Sequence, residues 1–356
     1  MVRAVGVAAE TSSGTYKVPD YYFDPMSERV QLNENVLVPD TISTRTGRRA
    51  FLTHQDSSGQ VEFILDTTIA SYFLSAVAGQ STTATGTTTI SLVPTSSRKT
   101  LPSVSLMINS LYFLRKIAGA GIKRVTIRSD GGPGNLPTLQ AEFVGGTETK
   151  DIADVNVNVA SFTELGKVLA NTTGWMYLAD DDLTVTNKSA TGLLKAKNFE
   201  IVIEPVFKED PIIGTEGLDP ELYYPENWRI RVNLTIPYTA ASTQWMSRYM
   251  GSVQAPDADG IGGAITRVWD LLATGVTKLP LQFRAYFEYD ADYTLQLDVR
   301  KAVIIDPHDY NEEGKTIRDV SLTLEAIHYE DTTDKTFQAI IDNSTDFDGA
   351  LLPGNV

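Results

Sequence analysis

Three histidines, His54, His308 and His328, are all this chain offers for imidazole chemistry, and they stand far apart in unrelated contexts. A Ser–His–Asp triad or a zinc site needs His in frame with an acid or a nucleophile. No G-x-S-x-G, H-E-x-x-H or P-loop pattern occurs. Cysteine is absent, which removes disulfides, thiol nucleophiles and thiolate metal sites together. The D-A-D-G at 257–260 starts like a calcium loop, but Val268 stands where the loop needs its bidentate Glu, so a surface turn is expected. Asp180, Asp181 and Asp182 read as a solvated bend. The glycines Gly260, Gly262 and Gly263 follow a Pro/Asp loop rather than a strand, unlike a dinucleotide site. Asn171, Asn187, Asn233 and Asn343 begin glycosylation sequons, which have meaning only in an exported protein. No catalytic residue, cofactor or metal is expected.

The charge balance narrows the partners. The 356 residues hold 30 Lys+Arg against 45 Asp+Glu, a net of −15. Residues 1–196 carry 18 acids and 17 bases; residues 197–356 carry 27 acids and 13 bases. So acidic a body does not grip DNA or an anionic membrane, because such affinity comes from clustered Lys and Arg. No run approaches the ~18 apolar residues of a membrane-spanning helix. Residues 1–16 hold one Arg and no apolar core, so no export signal is expected.

The elements that position any site are strands. Trp228, Ile230, Val232, Leu234 and Ile236 alternate with Arg229, Arg231, Asn233 and Thr235, one apolar and one polar face. The same alternation runs through 199–203, 281–289, 293–299, 320–326 and 337–341, and through 61–65, 104–108, 125–127 and 139–143 in the first half. Clean alternation implies antiparallel sheets with one packed face. The fold class is mainly β. Helices are expected at 67–79, where Thr caps open an amphipathic run that Gly79 stops, and at 161–174, opened by a Ser161/Glu164 capping box. Two more are expected at 243–250 and 265–273. Residues 81–89 and 130–135 read as loops, and 145–154 as a polar linker.

The chain also repeats itself. VEFILDTTIASYFLSAVAG (61–79) and VNLTIPYTAASTQWMSRYMG (232–251) both run as strand, Thr-x-Ala-Ser helix start and terminal Gly. Each resumes at a Leu–Pro pair, Leu101–Pro102 or Leu279–Pro280, and continues through a strand to an Arg–Lys pair, Arg115–Lys116 or Arg300–Lys301. Each closes on a strand with a central acid, 139–145 and 322–328. Four features in the same order favour two copies of one strand-rich module. The division expected is an N-terminal arm (1–18), a first module (19–150), a linker with one helix (151–196), a second module (197–343) and a C-terminal tail (344–356).

Several segments resemble the tail tube proteins of long-tailed, siphovirus-like bacteriophages: TRTGRRA (44–50), RKIAGAGIKRVTI (115–127), YTAASTQWMSRYMG (238–251), FRAYFEYDADYTLQLDVRKAVI (283–304) and GKTIRDVSLTLEA (314–326). The resemblance implies two tandem β-sandwich or barrel tail-tube modules, each with a flanking α-helix, in a structural virion protein without enzymatic activity. Its partners would be further copies of itself, in a homotrimeric ring with pseudo-sixfold symmetry stacked into a tube, together with tape measure and tail terminator or tip proteins. Genomic DNA would pass through without specific binding, in a virion tail assembled in the host cytoplasm. Glu288, Asp298 and Glu325 are the candidate lumen-lining carboxylates, placed to repel phosphates. A baseplate hub, tail-tip or head–tail joining ring built from the same module is the alternative. A carbohydrate-binding or hydrolytic β-protein would want clustered exposed Trp or paired carboxylates in a cleft, whereas the four Trp lie mostly on apolar faces and read as core.

Overall fold

In the computed structural model the protein is mainly β, a set of antiparallel strands with a single helix among the described residues. The structure describes residues 2–37, 51–79, 82–84, 86–92, 101–110, 113–132, 135–152, 167–179, 193–207, 225–237, 281–313, 316–326 and 336–343. In the first half these form β1 (Val2–Ala9), β2 (Tyr21–Phe23), β3 (Ser27–Leu37), β4 (Phe51–Ile64), α1 (Thr67–Ala78), β5 (Thr82–Ala84) and β6 (Thr87–Leu92). They continue with β7 (Val104–Ser110), β8 (Phe113–Asp130), β9 (Thr138–Val144) and β10 (Thr147–Ile152). The second half supplies β11 (Trp175–Ala179), β12 (Leu193–Leu194), β13 (Asn198–Phe207) and β14 (Pro225–Pro237). It ends with β15 (Leu281–Asp290), β16 (Tyr293–Glu313), β17 (Thr316–Ala326) and β18 (Phe337–Asn343).

Two long strands organise the layers. The first part of β8 pairs β7 and β10, and its later part pairs β9 and β13. Strand β16 behaves alike: its first part pairs β15 and β18, its later part β17. Each therefore passes from one layer into another. A register shift between Ile122 and Arg124 in β8, and between Ile304 and Asp306 in β16, marks a bulge beside each passage, where an extra residue lets a strand bend. One layer runs β3-β4-β9-β8-β13-β14-β17-β16 through both halves. Facing it are β2-β1-β7-β8-β10 from the first half and β12-β11-β15-β16-β18 from the second, the latter extended at β18 by β6-β5 of the first. Their apolar faces meet in one core, with Phe23 edge-on to Phe63 (5.8 Å) and Phe199 stacked on Phe287 (5.4 Å).

The same seven pairings occur in each half. In the first they are β1–β2, β1–β7, β7–β8, β8–β10, β8–β9, β4–β9 and β3–β4; in the second, β11–β12, β11–β15, β15–β16, β16–β18, β16–β17, β14–β17 and β13–β14. Register repeats as well. Val104 faces Ala120 and Leu106 faces Ile117 across a bulge, just as Leu281 faces Ala302 and Phe283 faces Val299 across one. Val7 opposite Leu106 corresponds to Leu178 opposite Phe283. Phe63 opposite Leu139 corresponds to Ile236 opposite Val320.

Helix α1 matches its sequence signals, with one change. Gly79 stops it in the left-handed region (φ 69°), but the N-cap is Asp66, whose Oδ1 accepts the Ile69 N–H at 2.7 Å, rather than a Thr. All twelve of its residues are buried, because it fills the space between the layers. Several segments read as connections are strands. Residues 147–152 form β10, at an edge, and 82–84 and 87–92 form β5 and β6, whose runs of Thr suit a pleated strand despite their low complexity. Within 1–18, read as an arm, β1 pairs β2 and β7; within 151–196, read as a linker, β11 and β12 join the second half. Of the helix expected at 161–174, residues 167–174 are irregular, with Val168 bridging Asp66; the rest of it, and those at 243–250 and 265–273, lie outside the described residues.

One buried carboxylate ties the N-terminal segment down. Glu10 accepts hydrogen bonds from Ser103 Oγ (2.8 Å), Ser105 Oγ (2.7 Å) and the N–H groups of Gly14 (2.9 Å) and Gly119 (2.8 Å). Gly119 (φ 77°) stands just before β8 passes between layers. Glu10→Ala strands the buried Ser103, Ser105 and Gly119 donors and is expected to cost about 3 kcal/mol, read as a lower urea midpoint.

Candidate assembly surface

The joint between the two halves is built from strand edges. Strand β8 receives β13, with Ile127 opposite Ile201 on the core side and Arg128 opposite Glu200 on the other. In the facing layer β6 receives β18. Trp228 Nε1 donates to the Val77 carbonyl at the end of α1 (3.0 Å), and Asn343 Nδ2 donates to Ser71 Oγ (3.2 Å). Arg124 crosses the joint to Glu204 (2.9 Å) while holding Glu142 (3.2 Å) on its own side.

Among the described residues the counterparts of these joined edges are open. By register β3 corresponds to β13, β10 to β18 and the later part of β16 to the later part of β8. Among the described residues, β3 pairs only β4, β10 pairs only β8, and residues 303–313 pair only β17. Strand β3 and residues 303–313 stand at opposite ends of the same eight-stranded layer. An antiparallel edge leaves backbone donors and acceptors without ladder partners, a template for another strand.

The outward face of that layer is polar, with charges of both signs laced together. Arg128 pairs Glu62, and Arg229 and Arg231 both approach Glu325 (3.6 and 3.4 Å). Lys197 meets Asp319 at 2.6 Å, and Asn233 Nδ2 donates to Glu200 Oε2 at 2.8 Å. A shallow groove of about 270 Å³ runs over the joint between Arg128, Glu200, Asn233, Thr235, Ser321 and Thr323. No group of three or more His, Cys, Asp or Glu suited to a metal occurs among the described residues.

The three carboxylates singled out in the sequence are not brought together. Glu325 lies on this polar face, opposite Arg231. Glu288 and Asp298 lie on β15 and β16 in the facing layer. Asp298 is fully enclosed: Arg284, its cross-strand partner, holds it at 2.6 and 2.7 Å, and Gln296 Nε2 donates to it at 3.0 Å. Its charge is thus spent within the subunit. Glu288 is half-buried and helps burial hold the neighbouring Tyr286 hydroxyl above the usual tyrosine range. A second cluster was illegible in sequence because Glu148 looked like linker. Arg115 forks onto Glu148 (Nε–Oε1 and Nη2–Oε2, both 2.7 Å), which also accepts from Ser57 Oγ at 2.9 Å. Burial pushes the Glu148 carboxyl up, but these bonds and the Arg115 charge outweigh it and hold it below the usual range.

No protein-family model matches the chain, and no curated protein sequence matches it. Among the described residues no helix is long and apolar enough to cross a membrane.

The two ion-pair settings should separate on mutation. Asp298→Ala removes the carboxylate that holds the buried Arg284 and should cost about 4 kcal/mol, whereas Glu325→Gln on the open face should cost under about 1 kcal/mol; urea midpoints check both. Because its carboxyl is held low, Glu148 stabilises the fold above the carboxylate range and that contribution fades as the pH falls. Glu148→Gln should therefore flatten the acid limb of the stability–pH curve.

Proposed function

We propose that the chain is the tube subunit of a long-tailed phage tail, a structural protein that acts by assembly rather than turnover. The observation that carries this reading is the recurrence of seven strand pairings in one register, with one joint closed inside the chain and the matching edges open at its ends. A unit of this kind adds copies of itself head to tail. On this reading the two halves are duplicated tail-tube modules, three copies supply six modules to a ring, and rings stack into a tube. The eight-stranded layer continues from copy to copy, and its polar face lines the channel. Glu325 then faces the lumen beside its arginines, while Glu288 and Asp298 belong to the outer layer. Arg124, Arg128, Arg229 and Arg231 of that face sit beside acids, which weakens their grip on phosphates and lets DNA pass without specific binding. Tape measure and tail-end proteins are the expected partners, and the virion tail, assembled in the host cytoplasm, the expected location.

Negative-stain imaging of the purified protein across concentration and ionic strength tests this. Rings or tubes with a central channel are expected. A protein that stays monomeric under every condition overturns the reading.

A further inference from the structure

The two halves differ at one flank, bounded by β13 and β18 in the second half and by β3 and β10 in the first. On the second half, the flank bounded by β13 and β18 is covered by β8, β6 and α1. The side chains along it are Phe199, Ile201, Ile230, Leu297 and Phe337, all buried. By register the same places in the first half hold Glu28, Val30, Ser57, Arg115 and Glu148. The covered flank is apolar and the open one polar.

This polar set also occupies the edge of β3. Glu28 Oε1 accepts the Val30 N–H at 2.8 Å, and Arg115 Nη1 donates to the Val30 carbonyl at 2.9 Å. An N–H given to a side chain is not in the ladder with β4, and the N–H and C=O of one strand residue point to the same side. The Val30 groups therefore face the open edge, where two side chains of the same subunit close them off. Inward-pointing charges of this sort are a recognised way to keep an edge from premature pairing.

We propose that this edge of β3 is the docking site for residues 308–313 of β16 in a second copy of the chain, and that Glu28 and Arg115 guard it until that strand arrives. The proposal rests on the tube reading for the existence of a polymer and adds which edges meet and in what register. The intramolecular joint supplies the register. Ile201 faces Ile127 and Glu200 faces Arg128, so residue 30 of one copy faces residue 310 of the next, and residue 29 faces residue 311. The occupant is a second copy because the chain carries both counterparts of its own internal joint, at opposite ends of one layer. On docking, the Val30 N–H and C=O exchange side-chain partners for the backbone at 310, and Arg115 keeps Glu148.

The absence of native cysteine makes the test direct. The chain carrying both Arg29→Cys and Asn311→Cys, oxidised under assembling conditions, should give a ladder of covalent multimers on non-reducing gels. Mixing the two single variants should give dimers and nothing larger. Rings or tubes in the microscope without the ladder overturn the joint and leave the tube reading standing; a chain that remains monomeric in sedimentation at every concentration overturns both. For the guard, Glu28→Ala should lower the concentration at which assembly begins by about tenfold. An unchanged or higher threshold removes the guard from the account.

Discussion

The antiparallel joint between β8 and β13 is the interaction on which the rest of this structure depends. It fuses two sheets of four strands into one layer of eight, and it does so with backbone hydrogen bonds that any extended segment could make. What makes the joint particular is the company it keeps. Helix α1 packs beneath it, β6 joins β18 in the facing layer, and Arg124 bridges it on the polar side. A joint made between two copies of one topology leaves the complementary edges free by construction, one on each copy. The edges of β3 and of residues 303–313 follow from that geometry.

The two faces of the eight-stranded layer divide the energetics. The inward face supplies a core of Val, Ile, Leu and Phe, whose burial drives folding. The outward face contributes little to stability pair by pair, since exposed ion pairs are worth under about 1 kcal/mol each. Its arginines sit among acids across neighbouring strands, so the strong negative charge of the chain is not expressed on this face as an unbroken acidic sheet. Much of the acid excess falls in the segments 208–224, 306–313 and 344–348 of the sequence.

The strands of the core were legible because period-two alternation survives wherever one face is buried and the other is not, as in 228–236 and 281–289. The repeat was legible for the same reason: Leu–Pro starts and central acids recur at equivalent strands. Several other strands were not. The run TETKDI in β10 and TTA in β5 have no apolar residues alternating to announce them, and in β6 the inward face begins on a Thr before reaching Ile90 and Leu92. The fate of single charges was also hidden. Glu288, Asp298 and Glu325 look alike as polar positions in alternating strands, yet Asp298 is enclosed by Arg284 because its face is covered, and Glu325 is not. Alternation reports which residues share a face, not what lies over that face. Likewise Glu28, Arg115 and Glu148 became a cluster only once register set them opposite the apolar residues of the second half.

Amide hydrogen exchange, compared between dilute monomer and assembled protein, reaches the central claim most directly. Slowing of exchange is expected in β3 around Val30 and in residues 308–313, with the β8–β13 joint equally protected in both states. Protection gained elsewhere on assembly, with β3 and 308–313 exchanging as fast as in the monomer, would contradict it.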